Sequence, residues 1–133
     1  MFHIVFYRDK DGNSEIVDFL DELQKKGKTS KTDRVNRIKI LAYLQALKEY
    51  GTHIGQPIVK HIEGSLWELR PLKNRIFFFY WKDDTFVLLH HFVKKSQKTP
   101  DKEIEKALLR QKDFLQRVGK RGGKSDQERN QDI

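Results

Sequence analysis

Residues 66–110 read LWELRPLKNRIFFFYWKDDTFVLLHHFVKKSQKTPDKEIEKALLR, and this stretch decides the fold. Leu66–Arg70, Arg75–Trp81 and Thr85–Val93 are apolar, rich in β-branched and aromatic residues, and separated by short turns. Such spacing predicts consecutive strands of an antiparallel sheet, with Pro71 closing the first and Lys82-Asp83-Asp84 forming a hairpin turn. Thr99-Pro100-Asp101 then predicts a helix start: Thr99 as cap, Pro100 at the first helical position, and Asp101 and Glu103 complementing the positive helix end. Ile104, Ala107, Leu108 and Leu115 supply that helix with an apolar stripe. Arg or Lys stands wherever one of these strands ends, which suits a surface that holds phosphates.

Upstream, Phe2–Tyr7 (FHIVFY) predicts a strand ended by the polar turn 8–12. Ser14 is placed to cap a helix carrying Ile16, Val17, Phe19, Leu20 and Leu23, which Gly27 ends. Ser30, with Asp33 three residues on, resembles a capping box. The helix it opens is expected to run to about Tyr50, with Val35, Ile38, Leu41, Ala42 and Leu44 inward and Gly51 as its stop. After Pro57 the period changes, and Ile58–Ile62 predicts a further strand before the turn at Glu63-Gly64. The expected order is β-α-α-β-β-β-β-α. This is an α+β domain over residues 1–118, a small twisted, mainly antiparallel sheet with two N-terminal helices and a C-terminal one. Residues 119–133, GKRGGKSDQERNQDI, hold almost no apolar side chains and are expected to be a disordered tail.

A chain of 133 residues suggests one domain with a modest core. It carries 27 Lys and Arg against 19 Asp and Glu, a net charge of +8, which favours polyanionic partners. With no cysteine there is no disulfide framework, thiol nucleophile or zinc–thiolate site. No His, Asp or Glu grouping shows metal-ligand spacing, so neither metal nor cofactor is expected. No apolar run is long enough to span a bilayer. The charges of MFHIVFYRDK follow its apolar part, contrary to a signal peptide, and a cytoplasmic location is expected.

Alternation along Leu66–Arg70 puts Trp67 and Leu69 on one side of the sheet and Glu68 and Arg70 on the other. A hairpin returns Arg75 beside Arg70. The last strand brings His90, its end brings Lys94 and Lys95, and Lys60 arrives from the strand before. On a shared face these form a cationic surface with one carboxylate and one imidazole. That set suits cleavage of an RNA phosphodiester, in which the 2′-hydroxyl loses a proton, a phosphorane forms and the leaving 5′-oxygen gains a proton. Arg70, Arg75 and Lys94 are expected to stabilise the phosphorane, and one such donor is often worth ~3–4 kcal/mol. Glu68, His90 and Lys95 remain alternative candidates for proton transfer. Lys60, Lys73 and Lys98 are expected to bind RNA phosphates. Each has a plainer reading: Glu68 and Arg70 as a surface ion pair, the histidines as satisfied sheet residues, and the run Phe77–Trp81 as core rather than a stacking platform for bases.

LWELRP, RIFFFYW and FVLLHHFVKKSQKTPDKEIEKALLR together resemble the phage Gp49-like, HigB-type branch of the RelE/ParE toxin superfamily. Members typically show an LWELR strand, an aromatic strand opening on arginine, and an LLHGFxKKTxKTPxxEIxxA segment. The likeness covers residues 2–115 in element order, and its specific part is Leu66–Arg110. It implies a toxin of a type II toxin–antitoxin pair, an endoribonuclease that cuts mRNA at the ribosome without metal. A cognate antitoxin, of helix-turn-helix type, would neutralise it. Arg70, Arg75, Lys94, Lys95, Lys98 and His90 fall on the family pattern, whereas His91 stands at its glycine and Ser96 at its threonine. Two competing readings are a ParE-like inhibitor of DNA gyrase on the same scaffold and a nucleic-acid-binding module without activity.

Overall fold

In a computed structural model, which describes residues 1–122, the chain forms three layers. Strand β1 (His3–Phe6) is followed by helices α1 (Glu15–Lys26) and α2 (Lys31–Tyr50) and a 3-10 turn at Gly51–Ile54. Strands β2 (Val59–Glu63), β3 (Leu66–Leu69), β4 (Asn74–Lys82) and β5 (Thr85–Val93) come next, and helix α3 (Asp101–Gly122) closes the order. This is the expected α+β architecture and the expected sequence of elements. Helix α3 continues through Gly122, past the expected tail boundary at Gly119, and the rest of that expected tail lies outside the described residues.

The local signals act as their chemistry dictates. Ser14 Oγ accepts from the Val17 amide at 3.3 Å and Ser30 Oγ from the Asp33 amide at 3.2 Å, satisfying amides that a helix start leaves without partners. Asp83 and Asp84 take φ of 52° and 56°, the left-handed pair that a tight two-residue hairpin needs, and so join β4 to β5. Gly51 ends α2 at φ 61°; a Cβ there would come within 2.8 Å of the Phe2 ring, so only glycine lets β1 pack so close.

The sheet order is β1-β5-β4-β3-β2, antiparallel throughout except that β1 lies parallel to β5 at the edge. One face packs on α1 and α2 through Ile16, Leu23, Ile40, Leu44 and Leu47 against Leu69, Ile76, Phe78 and Leu88. The other packs on α3 through Ala107 and Phe114 against Leu66, Phe77, Phe79, Val87, Leu89 and Phe92. Burying each large apolar side chain stabilises the fold by about 1.5–3 kcal/mol.

Two expected helix faces need correction. The inner stripe of α2 is Ile40, Leu44 and Leu47, while Val35, Ile38 and Leu41 face solvent at 44%, 64% and 39% exposure. This helix carries apolar residues on two sides, so periodicity alone does not select the buried one. On α3 the buried position belongs to Phe114, and Leu115 is 41% exposed.

A bulge in β5 sets the register that builds the site. Phe78 pairs with Leu88 but Phe77 pairs with His90, leaving Leu89 as an extra residue. Leu89 and His90 therefore both serve the α3 face, and His91 turns toward α1, its ring stacked 3.8 Å from that of Phe19.

Candidate functional site

A buried carboxylate under two guanidiniums stands where β3 ends and β4 begins. Glu68 pairs with Phe77 across the ladder and faces α3, with 1% of its surface exposed. Its Oε1 lies 3.5 Å from Arg70 Nε and 3.8 Å from Arg75 Nε. Its Oε2 accepts a hydrogen bond from the Thr99 hydroxyl at 3.3 Å. Burial pushes the Glu68 pKa up, while Arg75, Arg70, Thr99 and Lys60 pull the other way.

The two arginines differ in how they are held. Arg75 donates from Nη1 to the carbonyls of Leu72 and Asn74, both at 2.8 Å, and its side chain is 8% exposed. Burial, and then the Arg70 charge, lower its pKa. Arg70 is more open, at 22% side-chain exposure. Its buried Nε has the Glu68 ion pair but no hydrogen-bond acceptor.

Around them opens a narrow cleft lined by Arg70, Arg75, Phe92, Lys94, Lys95, Lys98 and Thr99. The loop that carries the lysines starts from a fixed point, because the Lys94 amide donates to Lys73 O at 2.7 Å. Lys73 joins Lys94 and Lys95 along a wider extension of the cleft. Lys60 pairs with Glu68 from β2 and is exposed. The structure thus brings together Glu68, Arg70, Arg75, Lys94, Lys95 and Lys98, with Lys73 at the margin and Lys60 on the neighbouring strand.

His90 is set apart. Glu68, Phe77 and His90 form one row across β3, β4 and β5, so the Phe77 position separates the imidazole from the carboxylate. His90 is 3% exposed and sits under α3, Nε2 2.9 Å from Glu103 and Nδ1 3.4 Å from Arg110 Nη1. Nδ1 also lies 3.5 Å from Glu15 Oε1, so each ring nitrogen has a carboxylate near it and Nδ1 has the Arg110 guanidinium as well. Burial lowers the His90 pKa, and Arg110 adds to this against Glu103. Arg110 also donates to Glu15 at 3.1 Å and to Leu89 O at 2.9 Å, tying α3 to α1 and β5. His90 is therefore absent from the cleft lining. His91, on the opposite face, bonds through Nε2 to Asn74 Oδ1 at 3.1 Å.

Sequence reasoning missed the part that Thr99 plays. Read as a helix cap, it sends its hydroxyl to Glu68, and the first turn of α3 closes on the Pro100 carbonyl instead. Nothing in its local pattern distinguishes the two uses. Phe92, a cleft wall, and Arg110, the partner of His90, were likewise not singled out.

Chemically, the cleft can bind a phosphate group: charge-assisted donors converge there and apolar walls flank them. Among the described residues, no group of three His, Asp or Glu side chains is placed to hold a metal ion, and no helix is long and apolar enough to cross a membrane. No curated protein matches the chain at a significant level. A family model described as phage derived protein Gp49-like (DUF891) matches residues 18–112, from within α1 to within α3, and so takes in the whole cleft. The chain belongs to this Gp49-like family, which is known as toxin-like.

Proposed function

We propose that this protein is a HigB-type toxin of the RelE/ParE superfamily, an endoribonuclease that inhibits translation by cutting mRNA at the ribosome and is neutralised by a cognate antitoxin. The observation that carries the reading is the guanidinium of Arg70, steadied by a buried carboxylate and open to a lysine-lined cleft. Family membership supports the toxin role, and a net charge of +8 supports an RNA partner.

In this mechanism Arg70 and Lys94 hold the non-bridging oxygens as the 2′-oxygen attacks phosphorus. Their hydrogen bonds strengthen as charge develops on the phosphorane. Arg75, engaged by two backbone carbonyls, fixes the floor of the site and adds its field. Glu68 positions both guanidiniums; its burial keeps it from the attacking hydroxyl. Lys95 is the proton-transfer candidate that lies open to the cleft, and His90 serves the docking of α3. Lys60, Lys73 and Lys98 attract the RNA backbone on either side. The 5′-oxygen leaves with a proton, and a 2′,3′-cyclic phosphate remains. No step calls on a metal or a cofactor.

The test is a cell-free translation reaction with one defined mRNA, mapping new 5′ ends with and without translating ribosomes. Cuts in register with codons, only when ribosomes translate, are the expected result. Cuts without ribosomes would mean a self-sufficient ribonuclease. No cuts by the folded protein would overturn the enzymatic reading and favour gyrase inhibition or plain nucleic-acid binding.

A further inference from the structure

An apolar groove continues the cationic cleft on the side of α1 and α2. Phe19, Leu23, Leu72 and Val93 supply its apolar lining, and it opens to solvent. Lys73 lines both groove and cleft extension, so one trough passes from apolar to cationic.

Leu72 makes this groove unusual. It lies in the left-handed region at φ 58°, which a bulky side chain rarely adopts, and it is 46% exposed. The turn holds it there: the Asn74 amide donates to Pro71 O, and Arg75 Nη1 donates to the Leu72 carbonyl. Backbone outliers of this kind collect at functional surfaces, and this one presents a half-exposed leucine to solvent. Val93, 48% exposed, stands at the same place.

We infer that this trough docks an acidic segment of a protein partner, with an apolar side chain seated on Leu72 and Val93 and its carboxylates reaching over Lys73 toward Lys94 and Lys95. Charge complementarity and continuity with the cleft select this occupant. The groove's polar groups argue against a nucleobase. Asn74 Nδ2 donates to Asn36 Oδ1, Asn36 Nδ2 donates to Thr32 O, and Asn74 Oδ1 is taken by His91, so few are left to read a base edge. One face of Phe19 is already stacked on His91. Asp33 is the acidic residue in the lining, and it restricts the partner's carboxylates to the lysine end. Identifying the partner as the antitoxin rests on the proposed toxin role. It would then neutralise by covering the cationic cleft.

The probe is a short fluorescein-labelled peptide of glutamate and leucine, compared with one whose leucines are replaced by serine, with anisotropy as readout. Leu72→Gly is the deciding variant, since glycine accepts the positive φ without strain and the fold is retained or stabilised. The wild type should bind the leucine peptide about tenfold tighter than the serine peptide, and Leu72→Gly should remove that advantage. Val93→Thr should act the same way. Equal binding of both peptides to wild type, or leucine-dependent binding that survives in Leu72→Gly, would overturn the proposal. So would a Leu72→Gly protein that loses affinity for a labelled single-stranded oligoribonucleotide but not for the peptide, because the groove would then be a base site. Leucine-dependent peptide binding by a protein that cuts no mRNA would support the groove and remove the endonuclease reading alone.

Discussion

The hydroxyl of Thr99 donates to the buried carboxylate of Glu68 at 3.3 Å, across 31 residues of chain. This bond ties the end of the lysine loop to the strand that carries Arg70. The loop is thereby anchored at both ends, at Lys94 through Lys73 O and at Thr99 through Glu68.

Thr99→Val should release the far anchor while keeping the side chain's shape. The stability loss should be about 0.5–1.5 kcal/mol, the worth of one intramolecular hydrogen bond. Urea denaturation measures it, and RNA binding by the variant should weaken as the loop loosens.

Removing the Glu68 side chain should cost far more. Glu68→Ala leaves two largely buried guanidiniums without a countercharge, and breaking such an arrangement typically destabilises by about 3–5 kcal/mol. Glu68→Gln keeps an acceptor for Thr99 and should lose less. An alanine variant that unfolds at the wild-type denaturant concentration would show that the carboxylate does not hold the site together.

Arg70 and His90 should separate chemistry from architecture. Arg70→Ala should lower mRNA cleavage by about 10²–10³-fold, and it should destabilise less than Glu68→Ala because Arg75 still faces the buried carboxylate. His90→Ala should destabilise by about 1–3 kcal/mol, since it removes the buried partner of Glu103 on α3, and should retain most of the cleavage rate. Rates and unfolding midpoints measured on both proteins decide it; a folded His90→Ala protein without activity would return the imidazole to the reaction.

The fold should weaken in mild acid through His91. Burial, with the His90 charge second, lowers its pKa from 6.5 to about 4. The unfolded chain therefore binds a proton in that interval and the folded protein does not, so this contribution to stability is lost as pH falls from 6.5 toward about 4. Glu68, with its pKa raised by burial, acts in the opposite sense from its ordinary value upward. His91→Gln isolates the first effect while keeping a donor for Asn74. Its midpoint, compared with wild type across the interval, should fall less steeply as the solution is acidified.

Much of the molecule was legible in its residues. Strands, turns and helix starts are local matters: the serine caps, the Asp83-Asp84 hairpin and the short apolar runs are read over a few residues, and all stand where expected. Arg70 and Arg75 were likewise expected side by side, because a short antiparallel connection leaves little freedom. Helix α2 was misread because its apolar residues occupy two faces, and only the sheet decides which is covered.

What the chain determines by itself, then, is which segments become strands and helices, and that cations gather at the strand ends. The tertiary structure alone decided which side chains meet. Strict alternation from Val87 would set His91 on the α3 face; the unpaired Leu89 puts His90 there instead, under Glu103 and outside the cleft. The single hydrogen bond of Thr99 became a tether rather than a helix cap. Register and hydrogen-bond partner are properties of two segments brought together, and the periodicity of neither one encodes them.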